Sequence, residues 1–160
     1  MSESLSILKD SDRRESLVEF GSRGEALASD FLRSRGYRIV LANFKVPIGR
    51  NRQEAQITGE IDIIALDGET LCFIEVKTRR SEDFTPVITG VDLRKQRQIT
   101  RTAKVYRRIF KVTEMAYRYD VVTVLLEAGR EPKVDLIQGF WKDGKFRKRI
   151  WYGPAWQDNF

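Results

Sequence analysis

Two runs rich in β-branched and aromatic residues, Glu60-Ile61-Asp62-Ile63-Ile64 and Phe73-Ile74-Glu75-Val76-Lys77, flank an Asp67-Gly68 turn. Such runs on either side of Asp-Gly specify a β-hairpin. Side chains on a strand alternate between faces, so Glu75 and Lys77 share one face. With an even number of loop residues, Leu66 pairs with Leu71 or Glu69, and Asp62 falls opposite Glu75 or Phe73. Either register puts Asp62 on the face of Glu75 and Lys77. The other face then collects Ile61, Ile63, Ile74 and Val76 as a core surface. Three charges converge on a sheet that is otherwise apolar.

Charged groups taken out of water are costly unless they are paired or bind a metal. A Glu-x-Lys on a strand, taken alone, is as well explained by a buried ion pair or by one wet sheet face. An aspartate one hairpin length away, in apolar surroundings, favours a site. Two carboxylates within reach of one point suit Mg²⁺ or Mn²⁺. A lysine beside them can hold a hydroxide or a developing phosphate charge. The chemistry this suggests is metal-assisted phosphodiester hydrolysis. The chain has no histidine and one cysteine, Cys72. That excludes Ser-His-Asp and Cys-His catalysis, histidine bases, and zinc sites built on histidine or on cysteine clusters.

Asp62 followed by Glu75-Val76-Lys77 resembles the pattern of the PD-(D/E)XK nuclease superfamily. Further blocks sharpen the match: Gly24-Glu25-Ala26-Leu27-Ala28, Leu32, Gly36-Tyr37-Arg38-Ile39, Gly59-Glu60-Ile61-Asp62, Lys95-Gln96 and Arg118-Tyr119-Asp120-Val121-Val122. Over roughly residues 20 to 126 the chain looks like the small bacterial YraN-type proteins, which are similar to archaeal Holliday junction resolvases. The resemblance implies an α/β, restriction-endonuclease-like core, with a central mixed β-sheet flanked by helices. It also implies supporting roles for Glu25, as a third carboxylate, and for Gln96, near the metal water or the scissile phosphate. Two departures are evident: a connection over Phe44 to Thr58 that is longer than usual for the family, and a basic, aromatic C-terminal extension.

A net charge of +6 and a pI near 9.6 favour an anionic partner such as nucleic acid or a membrane surface. No apolar run approaches the ~20 residues needed to span a membrane. Met1 to Arg14 lacks the apolar core of a signal peptide. A lone cysteine in mid-strand reads as a small buried residue, and a reducing, cytoplasmic setting is the default.

The length and the 41% hydrophobic content suit one domain with a real core. Residues 1–19 read as a tail or an added helical turn, 20–126 as the nuclease-like core, and 127–160 as a hairpin extension on the same domain. Glu15 to Arg35 is expected to be helical, with Leu17, Phe20, Leu27, Phe31 and Leu32 at mostly helical spacings and Gly36 ending it. A strand over Tyr37 to Leu41 and a Pro47/Gly49 loop reaching Thr58 should follow. After the hairpin come a loop over Ser81 to Gly90, a helix over Val91 to Phe110 and a strand over Asp120 to Leu126. Val134 to Trp141 and Lys145 to Tyr152 are expected to pair around Asp143-Gly144.

Glu25, one turn before the Ala28-Phe31-Leu32 face, is equally an ordinary helix-start acid facing water, as the helix dipole favours. On the second helix Ile99, Ala103, Tyr106 and Phe110 form an apolar stripe, with Gln96 beside it. An amide there must find partners, and capping a buried backbone group would serve as well as holding a phosphate. Arg94, Arg97, Arg101, Lys104 and Arg108 recur on the opposite side, Lys95 adjoins them, and no acid lies between Leu93 and Thr113. A single-sign stripe repels itself unless an anion lies along it, so these cations are expected to contact phosphates without reading sequence. The aromatics and cations of Phe140 to Tyr152 suit base stacking, or equally a hairpin that covers a sheet edge.

The sequence thus points to a Mg²⁺- or Mn²⁺-dependent endonuclease acting on DNA, and the likeness to resolvases implies branched DNA as its substrate. Asp62, Glu75 and the Val76 carbonyl would hold the metal, with Lys77 as the positioning or charge-stabilising cation. Two alternatives stand beside it: a non-catalytic nucleic-acid-binding or adaptor protein that keeps the fold, and a module that docks an acidic protein. A homodimer is compatible with either kind of role.

Overall fold

The computed structural model describes residues 15–81 and 91–146. Helix α1 (Leu17–Ser34) starts at a capping box. The Ser16 hydroxyl accepts from the Glu19 amide at 3.1 Å, and the Ser16 amide donates to the Glu19 carboxylate at 2.8 Å. It ends where Gly36 takes φ 86°, letting the Tyr37 amide reach back to the Leu32 carbonyl. Phe20, Gly24, Ala28 and Leu32 form its buried stripe, while Leu17 is 85% exposed and takes no part in it. Gly24 is required there: a Cβ would lie 1.9 Å from the Thr78 hydroxyl.

Five strands follow: β1 (Arg38–Arg50), β2 (Gln56–Asp67), β3 (Thr70–Arg79), β4 (Tyr117–Leu125) and β5 (Lys133–Trp141). They form one sheet in sequence order, antiparallel except for β3 and β4. Parallel neighbours need a crossover, and α2 (Leu93–Ile109), capped by Asp92, supplies it. The result is the α/β architecture expected, a central mixed sheet with a helix on each face. One core layer packs Phe20, Ala28 and Leu32 of α1 on Ile63, Ile74, Val76 and Val122. The other packs Ile99, Ala103 and Tyr106 of α2 on Ile61, Ile64, Phe73 and Val121. Cys72 is buried as expected, and burial pushes its thiol up to about 12.

The β2–β3 hairpin takes the first of the two expected registers, with Leu66 opposite Leu71. Three expectations need correction. The Pro47/Gly49 segment is no loop: β1 continues to Arg50 and pairs with β2 along its whole length. Pro47 is tolerated because β1 is an edge strand, where a missing N–H breaks no ladder on the open side. Ile61 does not share a face with Ile63 and Ile74; it packs with Ile64 and Phe73 on the α2 side. The ladder is interrupted at Asp62, whose carboxylate accepts the Val76 amide at 2.8 Å, and Asn43 across from it has φ 52°. Strand β2 rolls over at that point. Finally, β5 hairpins with β4, and Asp143–Phe146 is a 3-10 turn, not the start of a strand. Trp141 stacks on Tyr119 at 4.8 Å and donates to the Thr100 hydroxyl at 2.9 Å, which turns the chain back over α2. Residues 147–152 of the expected partner strand lie outside the described residues.

At the other end of the sheet, Arg118 ties β4 to β2 and to the connection between α1 and β1. Its Nε donates to both oxygens of the fully buried Asp120 at 3.0 Å, and its Nη2 to the Tyr37 hydroxyl at 2.7 Å and Asp67 at 2.8 Å. The Gly139 amide adds a 2.9 Å bond to Asp120.

Candidate metal centre

The break in the β2–β3 ladder creates the site. With the Asp62 side chain turned into the gap to take the Val76 amide, the two strands part next to Glu75. Glu75 lies on the α2 side of β3 and is only 3% exposed. Its Oε1 pairs with Lys77 Nζ at 3.1 Å and Lys95 Nζ at 3.6 Å. Its Oε2 is buried and has no hydrogen-bond partner among the described residues. Burial, and then the negative charge of Asp62, push the Glu75 carboxyl up to about 7 against the pull of both lysines.

Glu25 projects from the middle of α1, more than two turns past the Ser16 cap, so it is not a first-turn acid. It is half-buried; burial and Asp62 raise its proton affinity, while a bond to the Asn43 side chain lowers it. Among the described residues no three acidic side chains converge into a ready cage. A divalent ion there would have to draw on Asp62, oriented by the Val76 amide, and on the free oxygen of Glu75. Their hard oxygen chemistry suits Mg²⁺ or Mn²⁺. Glu25 stands behind Asp62 as an electrostatic neighbour.

Gln96 is buried, as its place beside the apolar stripe implied, but its amide is already engaged. Nε2 donates to the Val91 carbonyl at 2.8 Å, and Oε1 accepts Lys145 Nζ at 3.2 Å. It caps the entry to α2 and ties the 3-10 turn to it. Lys95 leaves the helix's outer stripe to meet Glu75, a role that helical spacing alone does not reveal. Arg101 is likewise diverted, donating to the Ile48 carbonyl at 2.6 Å. Arg94, Arg97, Lys104 and Arg108 remain exposed along α2. Asn43 was missed altogether; its only signal is an asparagine in a strand, a residue that tolerates positive φ.

Residues 24–124 match the family model described as "Uncharacterised protein family UPF0102". The chain belongs to that family. The matched segment contains both helices' site residues and every carboxylate and lysine of the centre, while β5 lies beyond it. Among UPF0102 relatives, the protein from Solibacter usitatus is 39% identical over 127 residues, covering 79% of this chain and 89% of its own. One from Chlorobium limicola is 36% identical over 129 residues, covering 77% and 92%. Among solved structures, a protein titled "Crystal structure of SSO0001" aligns with 90% of this chain and 62% of its own, at 16% identity and a TM-score of 0.38. Among the described residues, no helix is long and apolar enough to cross a membrane.

Proposed function

We propose that this UPF0102 protein is a divalent-metal-dependent endonuclease that hydrolyses phosphodiester bonds of DNA. The observation that carries the reading is the buried Glu75 carboxylate, with one oxygen unpartnered among the described residues, beside the gap where the Asp62 carboxylate takes the Val76 amide. Two lysines engage only one oxygen of that carboxylate, which leaves the other open to a further cation. The likeness of Asp62 and Glu75-Val76-Lys77 to the PD-(D/E)XK pattern, and of the wider motifs to junction resolvases, supports the same chemistry.

Asp62 and Glu75 would hold Mg²⁺ or Mn²⁺, with the Val76 carbonyl beside them. Such an ion, when bound, neutralises phosphate charge and makes water acidic enough to attack. The Val76 amide fixes the orientation of Asp62. Lys77 and Lys95 pin Glu75 through Oε1 and leave Oε2 as the free donor. As the water oxygen bonds to phosphorus and the phosphorus–deoxyribose oxygen bond breaks, the Lys77 ammonium stabilises the charge gathering on the phosphoryl oxygens. The leaving oxygen takes up a proton. Arg94, Arg97, Lys104 and Arg108 would hold the backbone along α2, positioning without reading sequence.

Labelled four-way junction, flap, single-stranded and plain duplex DNA, each with Mg²⁺, Mn²⁺ or EDTA, test the reading. Metal-dependent cutting, abolished by EDTA and fastest on branched DNA, is the expected result. The binding-module alternative draws on the ion pairs already made by Glu75 and on the absence of a third converging carboxylate among the described residues. DNA retained but cut in neither metal would favour that alternative.

A further inference from the structure

The outer part of the β1–β2 hairpin, residues 47–58, plays no part in the metal centre, yet it is held firmly. At its tip the Asn51 amide donates to the Ala55 carbonyl at 2.9 Å. The Asn51 side chain accepts from the Gln53 and Ala55 amides at 2.9 and 3.0 Å. Arg50 closes the same turn on the Glu54 carbonyl at 2.7 Å. At its base α2 clamps both strands: Arg101 holds the Ile48 carbonyl at 2.6 Å and Gln98 the Thr58 carbonyl at 3.1 Å. Gly59 sits so close to Thr102 that a Cβ would fall 2.0 Å from its hydroxyl. An isolated two-stranded ribbon is marginal in water. Here anchors and a locked turn make it rigid.

The ribbon carries little core. Residues 49–56 are all exposed, and the Arg52 and Gln53 side chains at the tip have no hydrogen-bond or ion-pair partner among the described residues. Where the ribbon meets α2, a cleft of about 220 Å³ is lined by Ile48, Ile57, Gln98 and three guanidiniums, those of Arg94, Arg97 and Arg101, with no carboxylate.

We propose that this ribbon is a groove probe for duplex DNA. The phosphate backbone lies in the angle between ribbon and α2, against Arg94 and Arg97, and the tip presents Arg52 and Gln53 to base edges. A two-stranded ribbon fits a major groove about 12 Å wide. Arginine pairs bidentately with guanine and glutamine with adenine, so these are the side chains such a tip needs. The proposal rests on the DNA reading above and adds that the substrate has a duplex flank beside the cut. Along β2, Gln56 to Asp62 spans roughly 20 Å at ~3.3 Å per residue. The turn beyond Gln56 therefore lies at least roughly 20 Å along the strand from Asp62.

The test is fluorescence anisotropy in EDTA, where nothing is cut, with a duplex of about two helical turns and a single strand of equal length. The double variant Arg52→Ala/Gln53→Ala should bind the duplex at least about tenfold more weakly, the scale of one lost base contact, and leave the single strand within about twofold. Arg97→Ala should weaken both and lower the salt slope by about one. Melting temperatures of the tip variant should match wild type, because both side chains are exposed and without a hydrogen-bond or ion-pair partner among the described residues. If Arg97→Ala weakens binding and the tip variant does not, the ribbon proposal falls while DNA binding stands. Equal weakening of duplex and single strand by the tip variant would also overturn it. No binding of either DNA by wild type would overturn both readings.

Discussion

Glu75→Gln is expected to make the protein more stable, by on the order of 3 kcal/mol at pH 8. The ordinary carboxyl titrates near 4.5, and burial beside Asp62 raises Glu75 to about 7. The folded state thus holds this proton more tightly than the unfolded chain does. Wild type should have its full stability from this group below about pH 4.5 and lose it progressively as pH rises through 7. Glutamine imitates the protonated side chain at every pH, so the gap between variant and wild type should be wide at pH 8 and nearly closed at pH 5. Urea unfolding at the two pH values measures it. Millimolar Mn²⁺ should raise the melting temperature of wild type at pH 8 and leave the variant unmoved, since a ligand stabilises only what it binds. A variant less stable than wild type at pH 8 would mean that the two lysine pairs, and not a waiting cation, account for Glu75.

Arg118→Met is expected to cost about 3–5 kcal/mol, the scale for removing one partner of a buried pair. Asp120 is wholly buried, and Arg118 supplies bonds to both its oxygens. Burial alone would weaken the charge of the guanidinium, but its bonds to Asp67 and Asp120 more than offset that and raise its proton affinity. Without Arg118, Asp120 keeps only the Gly139 amide among the described residues, and Tyr37 loses its tie to the hairpin turn. The urea midpoint should fall with the slope unchanged. Adding Asp120→Asn should recover part of the loss, because the stranded charge is then gone.

These residues also mark what the sequence made legible. The Asp-Gly turn between apolar runs marked the β2–β3 hairpin and narrowed it to two registers, of which the chain takes Leu66 opposite Leu71, because a hairpin is a local structure. The fate of Ile61 was hidden, since strict alternation fails where the Asp62 carboxylate leaves the pleat to take a backbone amide. The continuation of β1 was hidden because Pro47 and Gly49 read as strand breakers. The first is harmless on an edge strand, and the second leaves room for Arg101, whose guanidinium would lie 2.7 Å from a Cβ there. Helical spacing placed the α2 cations correctly, but Lys95 and Arg101 are drawn off the stripe by partners on β3 and β1. Such long-range pairings, like the Arg118 network, leave no trace in a window of local sequence.

The central claim is that Asp62 and Glu75 hold the metal that cuts DNA, and single-turnover cleavage tests it most directly. Wild type and Glu75→Gln, each in excess over junction DNA with Mn²⁺, should bind equally well. The variant should cut more than about a hundredfold more slowly, because even outer partners of a metal ligand are worth 10- to 100-fold. Cleavage by Glu75→Gln within about tenfold of wild type would contradict the account and move the chemistry away from this centre.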